Sequence, residues 1–162
     1  MFEVLVFVYE HYWRGDACPE RQQLGRKLTA HGFEPEEIQD ALTWLDGLNL
    51  AAQSIRVGDA ASCAPDAGAL QSPLSLRIYS VAEQDHLGAQ CLGFVSFLES
   101  SGVLPAPMRE IVIDRAMAVS GDPVSLDDLK IIVLMVYWSF GEEPDALVLD
   151  ELCDPVEGRL AH

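Results

Sequence analysis

With 162 residues, 49% of them hydrophobic, the chain is long enough for one domain or two small packed modules with a sizeable core. Its 26 acidic against 10 basic side chains leave a formal net charge of −16. A field of that sign repels phosphate backbones and anionic membrane surfaces and attracts basic proteins or cations.

The charge is uneven. Residues 1–50 hold 9 acids against 4 bases and residues 121–162 hold 10 against 2, with the middle nearer neutral. An acidic C-terminal segment is expected. Cys18, Cys63, Cys91 and Cys153 show no paired spacing, which fits reduced thiols. The apolar first 13 residues lack a basic n-region and a small-residue cleavage site, and Glu3 interrupts them. The apolar run 131–138 is too short for a membrane span, which needs about 20 residues. A soluble, cytoplasmic protein is expected.

Residues 1–14 are apolar nearly all round, with Glu3, Glu10 and Arg14 as a polar stripe at helical spacing. A buried helix is favoured over a buried strand. Pro19 can open a second helix, Leu24 and Leu28 repeat at i, i+4, and Gly32 suits the left-handed residue that closes it. Pro35 opens a third helix with Ile38, Ala41, Leu42 and Leu45 on one face and Glu34, Glu36 and Glu37 at its positive end. Two short helices joined through a glycine corner are the skeleton of a helix-turn-helix.

After Leu50 the helical pattern fades. Residues 53–57 and 74–79 read as two short strands, separated by a loop over residues 58–73 that has no periodicity. Three helices and two strands around a loop give the element order of a winged helix. Ser80 and Glu83 fit a capping box, so a fourth helix starts there, with Leu87, Cys91, Phe94, Val95 and Leu98 inward and Gly102 closing it. Pro105 and Pro107 mark the start of a fifth helix, which Gly121 ends. Ser125 caps a sixth, apolar around most of its circumference as a central buried helix should be. A last amphipathic helix spans about residues 145–152. The expected fold is mainly α: a winged-helix-like module over residues 1–80 with a two-stranded wing, then a helical bundle over residues 81–162.

The blocks MFEVLVFVYEHYW, LTAHGFEPEEIQDALTWL, PLSLRIYS, SFLES, MREIVIDRAMAV and DDLKIIVLMVYW occur in that order. Together they resemble the Smg family of proteobacterial proteins over almost the whole chain, down to Glu157, Gly158 and His162. The resemblance implies no established activity and no catalytic or ligand residues.

The residues themselves argue against a DNA reader. A recognition helix starting near Glu34 would present Glu34, Glu36, Glu37, Asp40 and Asp46 and no Lys or Arg, whereas groove readers rely on Arg, Lys, Asn and Gln. Only Gln39 and Thr43 suit that role. Arg21, Arg26, Lys27 and Arg56 are the available phosphate contacts, against roughly 6–10 in effective binders. The histidines His11, His31, His86 and His162 and the four cysteines show no zinc-ligand spacing. Nucleophile-elbow, phosphate-loop and dinucleotide motifs are missing, so no catalytic residue, metal or cofactor is assigned. Arg109 and Arg115 can pair locally with Glu110 and Asp114. Trp13, Trp44 and Trp138 lie on apolar faces, where core packing is the ordinary role. An exposed tryptophan beside acids would instead be a protein-binding anchor.

The reading is a non-enzymatic acidic adaptor or regulator that binds another protein, possibly a basic nucleic-acid-handling one. Its candidate surface is Glu34, Glu36, Glu37, Asp40 and Trp44. The alternatives are helix-turn-helix nucleic-acid binding through Arg21, Arg26, Lys27 and Arg56, and an acidic surface that mimics nucleic acid.

Overall fold

A computed structural model describes residues 1–12, 21–61, 77–121 and 123–141, with the side chains of residues 56–61 left aside. The described residues form six helices and no strand: α1 (Phe2–Tyr12), α2 (Arg21–Ala30), α3 (Pro35–Ala61), α4 (Val81–Ser100), α5 (Ala106–Met117) and α6 (Leu126–Phe140). None of these helices is long and apolar enough to cross a membrane.

The first helix resolves the helix-or-strand ambiguity of the N-terminus. Val4, Leu5 and Val8 are fully buried at helical spacing. The corner after α2 is built as its residues suggest. Gly32 takes φ 92°, and the backbone N–H groups of Gly32 and Phe33 donate to Thr29 and Leu28 carbonyls at 3.1 and 3.3 Å. A left-handed residue there lets the last carbonyls of α2 be satisfied without extending the helix.

The wing expected at residues 53–57 and 74–79 is not formed. Residues 53–57 lie inside α3, which runs 27 residues from Pro35 to Ala61. Residues 77–80 are in neither helix nor strand, and residues 74–76 lie outside the described set. The physical reason is that α3 keeps burying its inner face past Leu50: Ala52 is buried and Ile55 packs against the core. A helix with a packed face overrides the weak β preference of isolated Ile and Val residues. The mainly α reading holds; the winged helix does not.

The two serine cap signals were accurate. At α4 the Ser80 hydroxyl accepts from the Glu83 N–H while the Glu83 carboxylate accepts from the Ser80 N–H at 2.7 Å, a reciprocal capping box. Ser125 caps α6 by accepting from the Asp128 N–H at 3.1 Å, and Gly141 closes it at φ 71°. Gly102 turns the chain after α4 as expected. Helix α5, however, ends at Met117, short of Gly121. Helix α4 also breaks its own regularity at Gly88 (φ 67°, ψ 171°). Pro19, the Trp13 ring, most of the loop expected over residues 58–73 and the helix expected near residues 145–152 lie outside the described residues.

Helix α6 is the axis of the packing. It lies against α1, α3, α4 and α5, and Leu129, Ile132, Val133, Met135 and Val136 are fully buried. One hydrophobic cluster joins α1, α2 and α3 to α4, α5 and α6. The ends of this bundle position two surface features.

Candidate functional site

The first feature is the outward face of the N-terminal half of α3. Glu34, Glu36 and Asp40 are exposed, and Glu36 and Asp40 share a face at i, i+4. Glu37 is turned partly inward, with its carboxylate 3.4 Å from the Met1 amine. Among the described residues, Glu34, Glu36 and Asp40 face no basic side chain within ion-pair distance.

Trp44 does not belong to this exposed face. It is only 4% exposed, and its indole Nε1 donates to the Arg115 carbonyl at 2.9 Å, tying α3 to the end of α5. As an exposed anchor Trp44 is therefore corrected: its ring is core, and its polar tip is already satisfied. A cleft of about 440 Å³ opens beside it, lined by Phe2, Asp40, Thr43, Trp44, Arg115 and Ser120 among others. Arg115 donates from Nε and Nη2 to Asp114 at 3.0 and 2.7 Å. Its Nη1 lies against Gly47, where a Cβ would run into it. This arrangement offers solvent-facing carboxylates beside a shallow, partly apolar slot, a geometry for binding.

Two of the candidate nucleic-acid contacts, Arg21 and Lys27, have partners within the fold. Arg21 is paired with Asp46 of α3. The Lys27 ammonium lies 5.2 Å from the centre of the Tyr12 ring. Arg26 is exposed, and Arg56 belongs to α3 rather than to a wing. Gln39 and Thr43, the side chains suited to reading bases, hydrogen-bond to each other at 3.3 Å. His11 stacks on Phe7 and His31 lies tilted against it, while Phe33 meets the same ring edge-on.

The second feature lies at the start of α4 and was missed by sequence reasoning. Arg77 donates from Nε and Nη2 to Glu110 of α5 at 2.9 to 3.1 Å and from Nη1 and Nη2 to Glu83 of α4 at 3.2 and 2.8 Å. Its guanidinium also stacks 4.7 Å from the centre of the Tyr79 ring. Glu110 in turn accepts from Arg109, which is buried and also pairs with Glu99. The hydrogen bonds from Arg77 and then from the Ser80 backbone hold the Glu83 carboxyl down at about 2. Burial alone would raise the Glu110 carboxyl, but the hydrogen bonds of Arg77 and Arg109 outweigh it and lower it. The same bonds raise Arg77 further above its ordinary range. The signal for this cluster was an arginine three residues before a capping serine, and its partner Glu110 lies 33 residues away.

The whole chain, residues 1–162, matches the family described as "Protein of unknown function (DUF494)". It is 62% identical to the Protein Smg homolog of Leptothrix cholodnii and 60% identical to that of Methylibium petroleiphilum, each over 162 residues and the full length of both chains. The Protein Smg homolog of Bordetella pertussis is 49% identical over the same span. No solved structure matches. The chain belongs to this Smg family.

Proposed function

We propose that this Smg-family chain is a non-enzymatic acidic adaptor or regulator of the cytoplasm. It binds a basic protein through the outward face of α3, with Glu34, Glu36 and Asp40 as the contacts and Glu37 and the adjoining cleft at the edge. One observation carries the reading: these three carboxylates are exposed and, among the described residues, have no ion-pair partner, in a chain whose formal net charge is −16. Unpaired surface acids keep their full attraction for an incoming cationic surface and raise its encounter rate, an effect that salt screens. The buried Trp44 beneath them gives the face a fixed geometry rather than an anchor.

The test is affinity purification of the full chain at low and at high salt, beside the triple variant Glu34→Gln, Glu36→Gln, Asp40→Asn. The expected result is a stoichiometric basic partner that is retained at low salt, shed at high salt and lost by the triple variant. A partner held equally by the variant would overturn the assignment of this face, and no partner at low salt would overturn the adaptor reading. Where DNA competes for that same partner, the acidic face acts as a nucleic-acid mimic.

A further inference from the structure

We propose that the extended segment at residues 77–80 is a second docking point, where Ile78 and the adjacent Val81 seat in an apolar pocket on a basic protein. This rests on the reading that the chain binds such a protein and adds the apolar anchor that the α3 face lacks. Ile78 is 91% exposed and Val81 73%. A single exposed apolar side chain is ordinary on a protein surface. What distinguishes this one is how firmly it is held.

On one side, Arg77 makes five hydrogen bonds to Glu83 and Glu110 and lies over the Tyr79 ring. On the other, Ser80 is locked in its reciprocal cap, and the Gln84 side chain donates to the Tyr79 carbonyl at 2.8 Å. The segment lies in neither helix nor strand, so these side-chain bonds fix its path. An apolar side chain presented on an ordered backbone loses little freedom on docking. Interfaces place such a residue at the centre of a polar rim that excludes water.

The rim here is acidic. Glu83, Glu110 and Glu99 form one ion-pair network with Arg77 and Arg109 that begins at this segment. Three carboxylates against two guanidinium groups leave the network net negative. A second copy of the chain would bring the same rim and be repelled, as would a phosphate backbone or an anionic membrane. A cationic protein surface with an apolar pocket is complementary in both respects.

The test uses the full chain as wild type, Ile78→Asp and Ile78→Leu, together with a photo-cross-linking residue placed at position 78 or, as a control, at the exposed Leu50. Circular dichroism is expected to be unchanged, because the Ile78 side chain is exposed. The expected result is one basic protein that cross-links from position 78 but not from position 50, is retained by Ile78→Leu, and binds Ile78→Asp at least about tenfold more weakly. The same protein bound equally by wild type and Ile78→Asp overturns this docking point while leaving the α3 reading in place. A cross-link to a second copy of the chain overturns the basic occupant. Absence of any retained protein overturns both readings together.

Discussion

Two glycines in helix interiors show how a single residue can be read from its surroundings. Gly25 in α2 has ordinary space around it: an added Cβ would sit 3.8 Å from the Leu42 side chain. Gly25→Ala is therefore expected to stabilise the fold by about 0.5–1 kcal/mol through helix propensity and a less free unfolded chain. Gly47 in α3 is different, because the Arg115 guanidinium occupies the place of its Cβ. Gly47→Ala should fail to show that gain, and should recover it in an Arg115→Ala background. Urea midpoints of the four chains check this as a double-mutant cycle. Glu83 supplies a pH dependence with a definite sign. Its carboxyl is held at about 2, below the ordinary 4.5, so the unfolded state binds the proton more readily. Its contribution is fully present above pH 4.5 and is lost as pH falls towards 2. Glu110, also lowered, acts in the same direction. Stability measured by urea unfolding from pH 6 downward is expected to fall less steeply in Glu83→Gln than in wild type.

At the scale of elements, the readable boundaries were those fixed by local hydrogen bonds. Ser80, Ser125, Gly32 and Gly102 each satisfy orphan backbone groups within a few residues, so a short sequence window contains the whole cause. Ser125→Ala should accordingly cost about 1 kcal/mol, seen as a lower thermal midpoint with an unchanged helical spectrum. The end of α3 was illegible because its cause is distant: burial of Ala52 and Ile55 against the core prolongs a helix whose local pattern has faded. The site divides in the same way. The acids of α3 were legible because their spacing alone places Glu36 and Asp40 on one face. The burial of Trp44 depends on the Arg115 carbonyl 71 residues away, and the Arg77 clamp depends on Glu110. No periodicity in a single helix reports such pairs.

For the whole molecule the dominant quantity is charge, and it makes opposing contributions that can be separated. Excess negative charge destabilises a compact chain through self-repulsion. Added salt screens that repulsion over a Debye length of about 10 Å at 0.1 M. Salt also weakens ion pairs, but the clamp of Arg77, Glu83 and Arg109 is partly buried and is screened less than exposed carboxylates are. The exposed pair of Arg21 and Asp46 contributes at most about 1 kcal/mol, so its loss is small. Repulsion relief should therefore win, and the thermal midpoint should rise with sodium chloride. The triple variant Glu34→Gln, Glu36→Gln, Asp40→Asn removes three exposed charges and should show a higher midpoint at low salt and a shallower rise. The same charge acts on binding in the opposite sense: duplex DNA should not be retarded by the chain even at low ionic strength, where any phosphate contacts would be strongest. A midpoint that falls with salt, or a gel shift that Arg26→Ala abolishes, would place the governing electrostatics in the few basic groups rather than in the acidic surface.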